Sequence, residues 1–228
     1  MKFVLTCEHG GNNIVKEYEQ YFNNCQSVLA THQGYDIGAL DVFNFLKPLS
    51  DYSKYSTTSR LLIELNRSLH HKNLFSKYTK TIPLSEKQNI IDNYYLVYRN
   101  EVEAVVKSYI DNKHSVIHIS VHSFTPVLNN IKRNLDIGLL YDSKRKEEKN
   151  FCKKLKEEIK NLNPTIKLRY NYPYLGKADG FTTYLRKQFS KNYIGIELEI
   201  NQKFSKSNKI NNDFKNMLFD ALSTTIES

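Results

Sequence analysis

Short apolar runs, too brief to be helices, alternate along this chain with longer segments of helical periodicity, and that alternation restricts the fold more than any other feature. Lys2 to Thr6 is an apolar run ending in Glu8-His9-Gly10-Gly11, which reads as a buried strand leading into a loop. Arg60 to Leu65 (RLLIEL) reads as a second short strand. Val116 to Val121 is β-branched and bounded by polar residues, so it predicts a central strand ending at His122. Asp136 to Tyr141 and Tyr193 to Ile200 complete the set. Between these lie helical segments. Asp36 to Leu46 carries Ile37, Leu40, Val42 or Phe43, and Leu46 at amphipathic spacing. Ser85 with Gln88 reads as a capping box opening a long helix whose Ile91, Tyr94, Tyr98, Val102, Val105 and Tyr109 share a face. Lys144 to Asn161 is a charged helix with Phe151, Leu155 and Ile159 on one side, and Asp213 to Ser223 closes the chain. Strand and helix in alternation predict an α/β fold: one domain over residues 1–228, a three-layer sandwich with a central mixed, mainly parallel sheet flanked by helices, of the phosphorylase/hydrolase-like kind.

The chemistry-bearing residues cluster where such a fold places its ligands, beyond the carboxyl ends of strands. Glu8-His9, His122-Ser123 and the pair Glu197/Glu199 each close a strand. Glu197 and Glu199 are two apart, so they share one face of an otherwise apolar strand. Burying that face without a cation would cost several kcal/mol per ion, and a metal ion or an arginine cluster is the natural remedy. His118 lies on the face of His122, but four residues of strand separate them by roughly 13 Å, too far to bind one ion. It reads as a core or supporting histidine.

Composition excludes some alternatives. A net charge of +9 invites a nucleic-acid partner. However, few aromatics interleave with the basic clusters and no nucleic-acid motif occurs; heavy use of Lys, Asn, Ile and Tyr accounts for the charge, which also suits an anionic small substrate and does not discriminate between partners. The odd count of three cysteines, without a CxxC, leaves at least one free thiol and suits a reducing compartment. MKFVLTCEHGG has too short an apolar stretch for a signal peptide, and no run approaches a membrane span. A cytoplasmic enzyme without membrane contact is expected. The sequence does not specify an oligomeric state.

Seven segments, in order, carry a family pattern: CEHGGNNI near the start, THQGYDIGA at 31–39, SRLLIELNRS at 59–68, ISVHSFTPVL at 119–128, RNLDIGLLYD at 133–142, NYPYLGKADG at 171–180 and GIELEINQ at 195–202. Together they resemble the N-formylglutamate amidohydrolase family, which is similar in fold to the zinc carboxypeptidases. The resemblance implies a divalent metal, zinc by expectation. It makes His9, His122-Ser123-Phe124 and Glu197 the counterparts of two ligand segments and a late-strand catalytic glutamate. The carboxypeptidase pattern His-x-x-Glu is broken here, since Asn12 stands where the carboxylate ligand would be. Asp36 is the first choice to replace it, because an acid in the DIGA segment belongs to the family pattern, and Glu8 is the second. Alternation in an extended segment points Glu8 away from His9.

The implied activity is metal-dependent hydrolysis of an N-formyl or N-acyl amino acid, with N-formylglutamate yielding formate and glutamate. Glu197 acts as general base; Glu199, ~6.5 Å along the strand, is too far away to share its water. Asn66-Arg67 and Arg133 bind substrate carboxylates, with Arg60 and Arg186 in reserve, and Tyr174 reaches in from a turn-rich loop. Two readings compete with this one: the same metal site acting on another small acylated amino acid or peptide, and a basic nucleic-acid-binding module.

Overall fold

The computed structural model describes residues 1–227. Six strands form the main sheet: β1 (Lys2–Cys7), β2 (Tyr52–Tyr55), β3 (Val116–Phe124), β4 (Ile137–Leu140), β5 (Leu168–Tyr170) and β6 (Tyr193–Asn201). Their order is β2-β1-β3-β6-β4-β5. Every neighbouring pair is parallel except β4 with β6. The fold is thus an α/β sandwich with a mixed, mostly parallel sheet. Its longer helices are α1 (Ala39–Leu46), α2 (Leu84–Ile90), α3 (Val97–Asp111), α4 (Lys146–Leu162), α5 (Phe181–Gln188) and α6 (Asn212–Glu227), with a π-helical stretch, Ile91–Leu96, joining α2 to α3. None is long and apolar enough to cross a membrane.

Period-two alternation divides the side chains of the central strands between two cores. Ile117, Ile119 and Val121 of β3, with Ile196, Leu198 and Ile200 of β6, pack against α1, α4 and α6. The other face begins apolar, with Val4, Val116 and Tyr193 packed against α3 and α5. It then turns polar toward the carboxyl ends. Register sets His118 between Val4 and Gly195, Ser120 between Thr6 and Glu197, and His122 beside Glu199. One face of three adjacent strands therefore changes from core to chemistry within about three residues of each.

His118 marks the transition. It is fully buried and hydrogen-bonded at both nitrogens, Nε2 to Thr6 Oγ1 and Nδ1 to the Tyr193 hydroxyl, each at 2.7 Å. It is a core histidine, as its spacing from His122 implies.

Several elements differ from the sequence expectations. Arg60 to Leu65 is a series of turns, not a strand. Ser59 Oγ accepts from Leu61 N at 3.2 Å, and Leu62 N donates to Ser59 O at 2.9 Å. Leu62, Ile63 and Leu65 are buried all the same, which is why the run reads as a strand. The edge position beside β1 goes instead to Tyr52–Tyr55, whose polar, half-exposed residues carry no apolar signal. Ser85 and Gln88 form no capping box. Pro83 is the N-cap, no side chain caps the helix, and Gln88 bonds Asp92 at 2.9 Å. The π-helical stretch shifts the buried face to Ile90, Tyr95, Tyr98, Val102 and Val106. The helix expected from Asp36 begins at Ala39, after Gly38 at φ +82°, which leaves Asp36 in the preceding turn.

Burial first, then the positive charges of Arg186 and His122, lowers the His118 pKa from 6.5 to about 4. With the folded value below the unfolded one, the stabilisation is complete above pH 6.5 and lost as pH falls to about 4. Denaturant unfolding at pH 7 and pH 4 should show a loss of about 3 kcal/mol from this residue. His118→Gln should flatten that part of the profile. Identical slopes in variant and wild type would remove the assignment.

Candidate active site

The polar ends of β1, β3 and β6 meet the turn before α1. His9 follows β1, His122 lies near the end of β3, and Asp36 is brought to them by backbone bonds: Asp36 N donates to His9 O at 2.9 Å, and Ser123 N donates to Asp36 Oδ2 at 3.3 Å. Asp36 Oδ2 lies 2.9 Å from His122 Nδ1 and 3.4 Å from His9 Nδ1. The two rings are 5.0 Å apart, and one donor atom from each of the three residues lies within 4.8 Å of the others. All three residues are buried.

The outer nitrogens are tied to carboxylates. His9 Nε2 bonds Glu64. His122 Nε2 is 2.8 Å from Ser120 Oγ and 3.3 Å from Glu8. Glu8 also accepts from Ser120 and, at 3.1 Å, from the Tyr98 hydroxyl. Of the two carboxylates that the sequence leaves open, Asp36 stands in the convergent group, while Glu8 stands behind His122. Arg60 bridges Asp36 at 3.1 Å and Glu64 at 2.9 Å. Glu64 is absent from the sequence reading, its one signal being a carboxylate inside the buried run RLLIEL two residues before Asn66-Arg67.

Burial works against every charge here, yet contacts outweigh it for Glu8, Asp36, Glu64 and the two histidines. The Glu8 carboxyl is held below its usual range by His122 and Ser120, Asp36 by both histidines and Arg60, and Glu64 by Arg60 and His9. Both imidazoles are pushed up despite burial, His122 by Asp36 and Glu8, His9 by Glu64 and Asp36. Four buried carboxylates, Glu8, Asp36, Glu64 and Glu199, thus surround two imidazoles, with Arg60 the arginine paired to them. Two imidazole nitrogens and a carboxylate oxygen are a donor set suited to zinc or a similar divalent ion. A carboxylate on each outer nitrogen is the usual way such histidines are oriented. The residues fit a metal.

Above this group is a cavity of about 390 Å³ lined in part by Arg60, Asn66, Arg67, Tyr174, Asp179, Glu197 and Glu199. A groove of about 830 Å³ lies elsewhere, against the start of α6, but no histidine lines it. The backbone carrying Asn66 and Arg67 is clamped from beneath: Arg99 Nη1 donates to Leu65 O at 2.9 Å and Arg67 O at 3.2 Å, and the Tyr95 hydroxyl donates to Arg67 O at 2.6 Å. Asn66 Oδ1 accepts from Phe181 N at 2.6 Å, and Arg67 donates to the Asp179 carbonyl. The loop bearing Tyr174 is fixed by Asn171, whose Oδ1 accepts from Tyr141 N and Gly176 N. A Cβ on Gly176 would meet Tyr141 N at 2.1 Å, so only glycine allows this approach.

The expected arginines separate. Arg67 lines the cavity. Arg133 does not: it stacks on the Tyr174 ring at 5.2 Å, with Nη1 3.3 Å from the hydroxyl. Of the reserves, Arg60 lines the cavity, and Arg186 is buried against Glu148 at 2.8 Å. The two strand carboxylates also differ. Glu199 pairs with His122 in register, is 5% exposed, and has Oε2 buried with no hydrogen-bond partner among the described residues. Burial chiefly, with Asp36 and Glu197 adding to it against His122, raises its pKa to about 8. Glu197 pairs with Ser120, one step back, and accepts from Thr182 Oγ1 at 3.0 Å.

Among curated proteins no match was found. A crystal structure of a gene product from Agrobacterium tumefaciens superposes with a TM-score of 0.81 at 20% identity, covering 100% of this chain and 92% of that one. The N-formylglutamate amidohydrolase from Ralstonia eutropha does so with a TM-score of 0.71 at 15% identity, with the same coverage. At these identities the likeness shows a shared fold. The model of the N-formylglutamate amidohydrolase family matches residues 1–205 of the sequence. This chain belongs to the N-formylglutamate amidohydrolase family.

Proposed function

We propose that the protein hydrolyses the amide of a small N-formyl or N-acyl amino acid, using a divalent cation, zinc in our reading, held by His9, Asp36 and His122. The observation that carries this reading is the buried Asp36 carboxylate facing Nδ1 of both histidines at the floor of a small cavity. Family membership supports the amide as the bond cleaved.

A divalent cation bound there supplies electrophilic activation of the amide carbonyl and of a water molecule. The chain's own residues do the rest. Glu64 and Glu8 hold the imidazoles with Nδ1 toward the cavity. Arg67, beside Asn66, takes the substrate carboxylate. A general base beside His122 accepts the water proton and returns it to the leaving nitrogen. The sequence pattern favours Glu197 for this role, whereas the register favours Glu199, which stands level with His122 and has a buried oxygen with no hydrogen-bond partner among the described residues. We assign the base to Glu199. Glu197, held by Thr182, borders the substrate space. N-formylglutamate is the reference compound for assay.

The metal assignment is checked by dialysing zinc-loaded protein and measuring bound metal. Wild type should keep one ion per chain, and His122→Ala and Asp36→Asn should lose it. Glu8→Gln should bind ~10–100-fold more weakly while remaining stoichiometric at saturating zinc. Loss in Glu8→Gln with retention in Asp36→Asn would exchange the two roles.

Steady-state kinetics separate the remaining residues. Glu199→Gln should keep its metal and lose ~100-fold or more in kcat, with Glu197→Gln less affected. The reverse order would return the base to Glu197. Arg67→Ala should cost about 2–4 kcal/mol in kcat/KM, because the substrate carboxylate is left without its partner.

A further inference from the structure

Asp36 reaches the two histidines from a turn whose shape is set from outside. Ala39 N donates to Asp36 O at 3.0 Å, and Gly38 has φ +82° and ψ −10°, so Asp36–Ala39 is a type II turn with Gly38 at its third position. Types I and II differ by a flip of the central peptide, here Ile37–Gly38. Glycine adopts either sign of φ at little cost, so Gly38 by itself does not select between them.

Both polar ends of that peptide are held by residues distant in the chain. Ser123 Oγ donates to Ile37 O at 2.8 Å and accepts from Gln202 Nε2 at 3.0 Å. At the other end, Gly38 N donates to Asn208 Oδ1 at 2.7 Å. Because a peptide is planar, fixing its two ends fixes the plane. A flip would turn the Ile37 carbonyl away from Ser123 and towards the Asn208 acceptor. Ser123 meets the turn twice, at Ile37 O through its hydroxyl and at Asp36 Oδ2 through its backbone N. Freeing the central peptide therefore loosens one of the contacts that align Asp36 with the imidazoles.

Asn208 is itself well placed. With Ser207 it forms the tip of a hairpin, Ser205–Lys206 paired with Lys209–Ile210, both tip residues being left-handed at φ +61° and +51°. Ile210 N donates to Asp41 Oδ2 at 2.9 Å and Lys215 Nζ to the same oxygen at 2.8 Å, which ties the hairpin to α1. The fit against the turn is close: a Cβ on Gly38 would lie 2.8 Å from Ile210 Cδ1. The family match ends at residue 205, before Asn208.

We propose that Asn208 is a positioning residue for the metal site: by accepting from Gly38 N it holds the Ile37–Gly38 peptide in the type II orientation and keeps Asp36 facing His9 and His122. This rests on the metal reading above and adds to it a residue outside the family match.

The test is the zinc affinity of the folded protein, measured by competition with a chromophoric chelator. Asn208→Gly keeps the left-handed tip, removes the acceptor, and should weaken zinc binding about tenfold. Asn208→Asp keeps an acceptor in a residue that tolerates this backbone, and should bind zinc as wild type does. A role in hairpin stability alone would lower the melting temperature of Asn208→Gly and leave its zinc affinity unchanged; that result, or equal weakening in both variants, overturns the proposal. A wild type that binds no zinc refutes the metal reading, and amide hydrogen exchange of the metal-free proteins then decides the positioning role. Faster exchange at Ser123 in Asn208→Gly, with wild-type exchange in Asn208→Asp, supports it. Unchanged exchange at Ser123, or equal acceleration in both variants, overturns it.

Discussion

Two imidazoles held over one buried carboxylate determine much of the surrounding structure. His9 follows β1, His122 lies in β3, and Asp36 comes from the turn before α1, ahead of Gly38 at φ +82°. Bringing them together out of water requires each remaining polar atom to find a partner. Glu64, Glu8, Ser120, Tyr98 and Arg60 are those partners, and their placement accounts for otherwise odd features. The apolar run RLLIEL turns instead of extending, which lets Glu64 and Arg60 reach the histidine and aspartate while Leu62, Ile63 and Leu65 remain in the core.

The sheet makes this possible because parallel register is a vernier. Ser120 opposite Glu197 and His122 opposite Glu199 put two polar side chains of β3 level with the two carboxylates of β6. A slip of β3 by one residue would send Ser120 and His122 to the apolar face, away from both carboxylates. Below them, Val4, Val116 and Tyr193 close the same face with hydrocarbon and a hydroxyl, and His118 joins the two regimes through Thr6 and Tyr193. The far face, filled with Ile117, Ile119, Val121, Ile196, Leu198 and Ile200, supplies the burial that holds the register.

Arg67 is placed in the cavity lining by a different device. Arg99, buried and stacked on Tyr95, Phe181 and Tyr184, grips the backbone carbonyls on either side of Asn66 and so aims Arg67 into the cavity. A buried guanidinium of this kind is satisfied by carbonyls and aromatic faces, not by a counter-ion. The arginine that lines the cavity is thereby supported by another that does not.

The sequence by itself determined the alternation of strand and helix, the strand-end positions of His9, His122 and Glu199, and the common face of Glu197 and Glu199. These follow from local periodicity and from the tendency of strand ends to carry polar residues. It also reached Asp36 and the family through ordered motifs. What it could not determine is set by contacts between residues far apart in the chain. The partnership of Glu64 with His9 spans 55 residues, and Ser120 meets Glu8 across 112. The polar edge strand Tyr52–Tyr55 exists because β1 offers it a ladder, not because its residues favour one. Arg67 and Arg133 look alike in sequence, each an arginine within a family motif. Only the tertiary structure separates them, because entering a cavity or stacking on its outer rim depends on which elements pack around each guanidinium.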